Sequence, residues 1–279
     1  MAPSRTTKTA TWPIYLPIGL YLLFTLFPLY WLVNSSLKPS NELFRFPPLY
    51  WPQHLTLRNF ADAWTTTRLG TLYVNSLIVS GLTCLLLLAL VIFGGYGMAR
   101  FRFRGKSLVL VLFLLAQIMP SVVLLVPLFT IYKHLAILNT RMVLVITYTI
   151  TLLPFSVLMM RGFFDSIPEE MDEAAMVDGC GRIGALLRVV LPSALPGLVA
   201  TTIFGFINAW NELVYAVIFI STPTIQTLPV GLASMIDEQR TDYGMLLAIG
   251  VLALVPSLML FAYIQRYLTQ GLTAGAVKG

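Results

Sequence analysis

The chain contains few of the residues that metal sites, disulfides and most catalytic centres require. Charged residues make up only 11% of its 279 residues, and there are two histidines and two cysteines. His54 and His134 are isolated, so no metal-ligand spacing is present. Cys84 lies in an apolar run and Cys180 in a polar loop, which argues against a disulfide between them. We therefore expect no metal, no catalytic residues and no disulfide scaffold.

A nucleotide-binding loop is also missing. The pattern Gly-x-x-x-x-Gly-Lys does not occur, because the position five before the Gly105-Lys106 pair is Arg100. The chain therefore cannot hold the phosphates of ATP by the usual loop. Both histidines lie outside the apolar runs, so no nucleophile and base are paired there. We predict that the chain is not an enzyme, has no cofactor of its own and takes its energy from another chain.

Apolar residues are abundant instead. They account for 57% of the chain, whose mean hydropathy is +0.82, and this composition predicts a polytopic membrane protein. A spanning helix needs roughly 20 apolar residues. Six such runs are present: 13–35, 70–98, 107–131, 142–160, 194–220 and 244–265. We predict an all-α membrane protein with six transmembrane helices, the first uncleaved because it is longer than a signal-peptide core and contains prolines.

Prolines interrupt two of these runs. Pro120 and Pro127 fall in the third run and Pro154 in the fourth, and we expect them to break these spans. A proline in a buried span frees backbone carbonyls that a neighbour or a water-lined path must satisfy. Packing kinks and a translocation path would both account for them.

The net charge of +6 indicates membrane topology rather than nucleic-acid binding, because the basic residues are dispersed over loops. Most Lys and Arg residues fall in the N-terminus, in 99–106, in 161–193 and after residue 265. The densest cluster is Arg100, Arg102, Arg104 and Lys106. Basic residues accumulate in cytoplasmic loops, so we predict that this side, with both termini, is cytoplasmic.

The loop at 161–193 contains the most acidic segment of the chain, from Glu170 to Gly179. Residues 169–177 are good helix formers. Ser166 and Glu169 have capping-box spacing at the start of this stretch. The pattern predicts a short helix that begins near Glu169.

Gly179 stands where this helix needs a left-handed end. A second short helix is predicted from about Arg182 to Val190, ended by Pro192. Two helices of this length cannot bury a core of their own, so we expect the 169–191 segment to pack on a partner.

Seven positions of this loop resemble the EAA loop of binding-protein-dependent ABC importer permeases. The family pattern is Glu-Ala-Ala, three residues, Gly, nine residues, an aliphatic residue, one residue and Leu-Pro. It is matched by Glu173, Ala174, Ala175, Gly179, Val189, Leu191 and Pro192, with Val189 where the family usually has Ile. The resemblance implies a coupling helix that docks in a cleft of a cytoplasmic ATPase. From the residues alone, an acidic amphipathic loop lying on the bilayer surface is the alternative.

Two further segments resemble the sugar-importer branch of this family. The proline- and aromatic-rich segment 36–69 is similar to the one that precedes the second span there, and we expect an ordered, partly helical cap rather than a plain connector. The small, polar and flexible end, Gln270–Gly279, is similar to the tail of MalG-type subunits of maltose importers. That tail reaches into the ATPase dimer, whereas an unstructured end is the alternative here.

The resemblance implies an ABC importer type I permease fold with a cytoplasmic coupling-helix loop. We expect three parts: 1–69 with the cytoplasmic N-terminus, the first span and an external loop, 70–265 with five spans and the 161–193 loop, and 266–279 as a cytoplasmic tail. The expected location is the cytoplasmic (inner) membrane of a bacterium or archaeon, as a multi-pass protein.

The fifth run carries polar residues on one predicted helical face, because their spacing is 4, 3, 4 and 3. They are Thr201, Gly205, Asn208, Glu212 and Tyr215. Glu212 is the only carboxylate inside a predicted span, and an ionisable group there should face the bundle interior, a partner or a wet cavity. The face would either line a translocation path for a polyol or act as a structural polar clamp between helices.

The resemblance implies the permease subunit of an ATP-driven sugar importer. Its partners would be a second homologous permease, a dimer of cytoplasmic ABC ATPases that binds ATP and Mg²⁺, an extracytoplasmic solute-binding protein and the lipid bilayer. The alternative function is an ion-coupled secondary transporter of a small polar solute. No basic residue lies within the spans, which favours a neutral sugar, but the sequence does not identify which one.

Overall fold

The computed structural model describes residues 12–236 and 242–276, and every regular element in these ranges is a helix. The bounds are α1 (Trp12–Ser36), α2 (Ser40–Leu43), α3 (Arg58–Thr66), α4 (Leu69–Arg100), α5 (Lys106–Ile118), α6 (Ser121–His134), α7 (Arg141–Asp165), α8 (Glu170–Val177), α9 (Arg182–Ala185), a π-helical turn (Leu186–Val190), α10 (Leu191–Ser193), α11 (Leu195–Asn211), α12 (Val214–Phe219), a 3₁₀ turn (Pro223–Ile225), α13 (Leu228–Ser234) and α14 (Tyr243–Ala276).

Four stretches are long and apolar enough to cross a membrane on their own: Tyr15–Ser36 in α1, α4, α7 and Tyr243–Tyr263 in α14. Two further stretches are bent helix pairs. The pair α5–α6 bends by 103°, and Arg182–Ser193 meets α11 at 80°. If each bent pair counts as one crossing there are six, which is the predicted number, but the second pair spans Arg182–Asn211 where the fifth predicted run is 194–220.

Pro120 is the only one of the three predicted breaks that the structure contains. It lies between α5 and α6, after an extended Met119, because a residue before proline avoids the helical conformation. The prediction was wrong for Pro127 and Pro154, which lie inside α6 and α7. Neighbouring helices in a membrane bundle can satisfy the backbone groups that a proline frees.

The described residues form two compact units. The first contains the chain up to Thr67 together with Ile236–Leu254, and the second contains Arg68–Met235 and the residues from Val255 onward. In the second unit α4 packs along α7. At Gly95 the helices are so close that a Cβ atom would lie 3.3 Å from the backbone nitrogen of Arg161. Small residues allow such close contact between membrane helices.

In the first unit the segment after α1 is ordered by buried polar side chains. The Asn59 amide donates to the carbonyls of Ser36 (2.7 Å) and Lys38 (2.8 Å). The Glu42 carboxylate accepts from the backbone N–H of His54 at 3.1 Å and faces its ring nitrogen at 2.7 Å. With α2 and α3 in place, the predicted ordered and partly helical segment is confirmed.

The end of the chain differs from the expectation of a flexible tail. Helix α14 continues to Ala276, through most of the predicted 266–279 tail. Residues 277–279 lie outside the described part. The composition of this end is small and polar, but it contains no proline, so a helix that begins in an apolar span can continue through it.

Candidate functional site

The first predicted helix of the acidic loop is confirmed as α8, Glu170–Val177. Its end is a Schellman motif, in which the N–H of Cys180 donates to Ala175 O at 3.0 Å and that of Gly179 to Met176 O at 3.1 Å. Gly179 has φ of +88°, as predicted. At this φ a residue with a Cβ atom is strained.

The predicted capping box is wrong. The hydroxyl of Ser166 donates to the carbonyl of Phe163 at 2.7 Å, so it satisfies the end of α7 and not the beginning of α8. The side chain of Glu169, the residue before α8, makes no capping hydrogen bond. The acidic first turn of α8 still complements the positive end of the helix dipole.

The second helix of the loop runs further than predicted. It continues from Arg182 through the π-helical turn to Ser193, so Pro192 does not end it. A π-helical turn shifts the hydrogen-bond register by one residue and commonly accommodates irregularity in a helix. The break comes instead at Ala194, where the chain bends into α11.

A buried ion pair attaches α8 to the last turn of α4. The Arg100 Nε donates to Asp172 Oδ2 at 2.8 Å, and both side chains are more than nine-tenths buried. The hydroxyl of Tyr96 donates to Asp172 Oδ1 at 2.6 Å, and Arg100 Nη2 donates to the carbonyl of Ile167 at 2.8 Å. We call Tyr96, Arg100 and Asp172 the clamp. A buried ion pair with its remaining groups hydrogen-bonded fixes the geometry on both sides.

Apolar side chains complete this attachment. Ala175, Leu186 and Val190 are buried, and the last two belong to one cluster with Val91 of α4 and Phe164 of α7. The loop therefore packs against the spans of its own chain on one side. The expected packing on a partner therefore concerns the outer side of the loop and stays a prediction.

The opposite side of the loop is open. Glu173, Ala174, Gly179 and Pro192 are exposed, Leu191 is half-buried, and Ala175 faces inward. Large apolar side chains are also uncovered, because Val177 is 87% and Ile183 is 65% exposed. We call the outer side, Glu173, Ala174, Val177 and Ile183, the coupling face. Exposed apolar groups beside charges are typical of a protein interaction surface.

The polar residues of the fifth run do not form one continuous helical face, so that prediction is wrong. Helix α11 ends at Asn211, and Glu212 has an extended backbone with φ of −71° and ψ of 125°. Its carboxylate accepts from the N–H groups of Tyr215 (2.9 Å) and Ala216 (3.2 Å). Glu212 thus caps α12, because it satisfies N–H groups that the first turn of a helix leaves free.

The five polar residues of the fifth run separate into two that pack between helices and three that lie at cavities. Thr201 and Gly205 are buried in helix packing: Thr201 donates to the carbonyl of Gly197 at 2.8 Å, and a Cβ atom at Gly205 would lie 2.9 Å from Leu87 of α4. Asn208 and Glu212 line a cavity of about 80 Å³ with Tyr148 and Thr151 of α7. Tyr215 is buried, and its hydroxyl donates to the carbonyl of Ser121 at 3.1 Å.

A second cavity, lined mostly by apolar residues, shares one lining residue with the first. It has a volume of about 360 Å³, and Thr151 lines both cavities. Gln117 and Tyr215 also line the larger one, beside the bend between α5 and α6. The amide, hydroxyl and carboxylate groups around the two cavities can donate and accept hydrogen bonds with a hydroxylated solute.

Sequence reasoning missed the clamp and the α7 side of the cavities. In the sequence, Arg100 is one residue of a basic cluster and Asp172 one of several neighbouring acids, so nothing marks the two as a pair. A signal for α7 was present, since Thr147, Tyr148, Thr149 and Thr151 place four hydroxyl groups in five positions of an apolar run. Among residues 12–236 and 242–276, no group of three or more His, Cys, Asp or Glu could hold a metal ion.

Comparison with known families gives a match over most of the chain. Residues 86–274 match the family described as "Binding-protein-dependent transport system inner membrane component". The chain is 37% identical over 268 residues to the diacetylchitobiose uptake system permease protein DasC of Streptomyces coelicolor, which covers 96% of this chain and 97% of the relative. It is also 37% identical over 265 residues to the sulfoquinovosyl glycerol transport system permease protein SmoH of Agrobacterium fabrum, covering 95% and 93%.

Among solved structures, the fold is similar to a chain in the crystal structure of a bacterial ABC transporter involved in the import of the acidic polysaccharide alginate. The TM-score is 0.80 at 20% identity, and the match covers 96% of this chain and 99% of the other. At this identity the likeness supports the fold alone. It agrees with the predicted type I permease architecture.

Proposed function

The chain belongs to the family of binding-protein-dependent transport system inner membrane components, and on this premise we propose that its 161–193 loop couples an ATPase to sugar import. It is a membrane permease of the ABC importer class, like the sugar permeases that it resembles. This membership does not support the alternative of an ion-coupled carrier. The partners, the orientation and the roles of single residues are parts of the proposal.

One observation supports the coupling role: α8 has a buried side and an exposed side. Asp172 and Ala175 point to the spans, and Glu173 and Ala174 point away from them. The small Ala174 permits close approach of a partner surface, and Glu173 offers a charge to it. A force applied to the coupling face passes through the clamp to α4, because a buried ion pair resists separation.

The orientation follows from charge. The turn between α4 and α5 and the 161–193 loop lie on the basic side of the chain, which is the cytoplasmic side by the positive-inside rule. An ATPase dimer that binds ATP and Mg²⁺ would meet α8 there. A solute-binding protein would deliver the solute at the other side, and a second permease would supply the other half of the path.

The two cavities that share Thr151 are the proposed part of the path in this chain. No basic side chain lines either of them, and their polar groups are Gln117, Ser121, Tyr148, Thr151, Asn208, Glu212 and Tyr215. This lining suits a neutral hydroxylated solute better than an anionic one. The relatives named for diacetylchitobiose and sulfoquinovosyl glycerol transport support a carbohydrate-containing substrate.

The coupling role is tested by reversing the charge at Glu173. We expect the complex with Glu173→Lys to lose the ATPase during purification and to import sugar at least about tenfold more slowly, because a like charge at a docking site weakens binding by more than about 1.4 kcal/mol. The readouts are the ATPase that is purified with the permease and ATP-dependent uptake into proteoliposomes.

Asp165→Lys is the matched control, since Asp165 is an exposed carboxylate of the same loop that lies outside α8, and its pair with Arg161 is partly exposed and contributes about 0–1 kcal/mol. It should assemble and transport within about twofold of the wild type, as expected for most exposed substitutions. If Glu173→Lys behaves like Asp165→Lys in both measurements, the coupling face is not the ATPase contact.

A further inference from the structure

An apolar groove runs along α4 at its clamp end. It has a volume of about 510 Å³, within the range of roughly 300–1,000 Å³ typical of small-molecule sites. Its walls come from α4, α5 and α7, and it is lined by apolar residues that include Leu90, Phe93, Gly97, Phe101, Phe113 and Val157. From Leu90 to Phe101 it follows about three turns of helix, or about 16 Å.

Three basic residues adjoin the lining of this groove in sequence at one end. Arg102 and Arg104 alternate with the lining residues Phe101 and Phe103, and Lys106 follows Gly105 and donates to the carbonyl of Phe101 at 3.2 Å. In the described part of the chain, Arg102 and Arg104 are exposed and take part in no hydrogen bond or ion pair. Arg100 is different, because Asp172 already neutralises it in the clamp.

Other charges also make this end of the groove more positive than the rest. The guanidinium of Arg182 lies over the Phe101 ring, 5.2 Å from its centroid. No Asp or Glu lines the groove, and the two carboxylates at its basic end, Asp172 and Asp165, are paired with Arg100 and Arg161. The groove is thus apolar along its length and positive at one end.

We propose that this groove binds one anionic phospholipid, with an acyl chain along α4 and the phosphate at Arg102, Arg104 and Lys106. Basic pockets beside membrane helices on the cytoplasmic side bind anionic headgroups. The charge asymmetry favours this ligand over an apolar helix, which would leave the basic residues without a counter-charge. The proposal rests on the cytoplasmic orientation given above for the turn between α4 and α5.

The test places a fluorophore in the groove. Phe93 is 54% exposed at the groove wall, and Phe93→Trp adds an indole there. The complete transporter with this variant is reconstituted in nanodiscs that contain either brominated phosphatidylglycerol or brominated phosphatidylcholine at 20% of the lipid (about one lipid in five). We expect phosphatidylglycerol to quench the added fluorescence, relative to the wild type, several-fold more than phosphatidylcholine. Phe113→Trp serves as a second position if Phe93→Trp does not assemble.

Two pairs of variants separate charge from shape. Arg102→Gln/Arg104→Gln should reduce the preference for phosphatidylglycerol by roughly fivefold for each charge, whereas Lys133→Gln, an exposed basic residue at the end of α6, should not change it. A Cβ atom at Gly97 or Gly81 of α4 meets no atom within 4 Å, so both sites accept a side chain. Gly97→Leu fills the groove and should abolish quenching, and Gly81→Leu, outside it, should not.

Two results would overturn the proposal. Equal quenching by the two brominated lipids means that the groove contacts bulk lipid without selecting a headgroup. Absence of quenching by both means that protein, such as a helix of the second permease, covers the groove. Because quenching requires neither ATP nor uptake, either result can be told apart from a failure of the coupling role, which the Glu173→Lys comparison measures.

Discussion

Two loops of this chain bury charge in different ways. In the 161–193 loop, Asp172 and Arg100 neutralise each other across 72 residues of sequence. In the segment after α1, Lys38 lies over the Trp31 ring at 4.6 Å and donates to the carbonyl of Leu49, while Glu42 is held by separate N–H donors. An ion pair attaches the 161–193 loop to α4. The segment after α1 is shaped by side chains that bind nearby backbone.

The clamp connects two helices, whereas the Lys38 and Glu42 contacts shape one local segment. Removing one member of the clamp leaves an opposite charge buried without its partner, which is among the costliest single changes in a protein. Removing Lys38 leaves a neutral carbonyl without its donor and removes a positive charge near Glu42, which keeps its own N–H donors. The clamp should therefore govern how α8 moves with α4, and the Lys38 and Glu42 contacts should govern only the conformation of their own segment.

The largest effect is expected from Arg100→Met. The variant leaves Asp172 buried beside Tyr96 without its counter-charge, so we expect a loss of about 3–5 kcal/mol of stability and of coupled uptake. Thermal unfolding of the purified complex in detergent measures the first and proteoliposome uptake the second. Arg161→Met is the control, because its pair with Asp165 is partly exposed and contributes about 0–1 kcal/mol.

A double variant sharpens this result. Arg100→Met/Asp172→Leu removes both charges and should recover most of the lost stability but not the uptake, because the α8 attachment is then apolar and less directional. Equal loss in Arg100→Met and Arg161→Met would show that the clamp is no stronger than a surface pair and would remove the contrast between the two loops.

A smaller effect is expected from Lys38→Met. The side chain keeps its packing on Trp31 and loses the hydrogen bond to Leu49, for a cost of about 2 kcal/mol. Uptake per folded complex should stay within twofold of the wild type, since this contact is local. A thermal shift as large as that of Arg100→Met would contradict the distinction drawn above.

The next largest effect on stability is expected from Gly179→Ala. Its φ of +88° costs a residue with a Cβ atom about 1–2 kcal/mol, and no neighbouring atom lies within 4 Å, so strain is the whole effect. Gly181→Ala is the matched control two residues later, where φ is −71° and space is also open. We expect a lower unfolding temperature for the first variant alone, measured by the same thermal assay.

The smallest effect is a pH dependence at Glu42. Burial acts to raise the pKa of Glu42, but hydrogen bonds from the His54 ring and from the N–H groups of Gln53 and His54 outweigh it and hold that pKa below its ordinary value of 4.5. A lowered carboxyl pKa contributes stability above the ordinary value, and this contribution disappears as the pH falls through the lower folded value. The unfolding temperature of the wild type should therefore decline more steeply below pH 4.5 than that of Glu42→Gln. If the unfolding temperatures of the two proteins declined in parallel below pH 4.5, the folded state would not lower the pKa of Glu42.

Much of the fold follows from local sequence, but contacts between distant residues do not. Apolar length predicted the spans, and helix formers followed by Gly179 predicted α8 and its left-handed end. The clamp depends on residues from two separate helices, so no local pattern marks it. No proline or glycine marks the break after Asn211, since Glu212 produces this break by capping α12. Pro192 does not end its helix because a π-helical turn precedes it.

The near-contact of α4 and α7 at Gly95 limits which parts of the second unit can shift independently. A sliding movement of one helix past the other would drive Met160 into the backbone of α4. The distance between spin labels on these two helices should therefore be the same in every nucleotide state. If α4 and α7 move as one body, changes within the second unit are expected at joints such as Glu212 and Leu213 between α11 and α12. Rotation about these two residues would reorient Tyr215 and leave the α4–α7 pair in place.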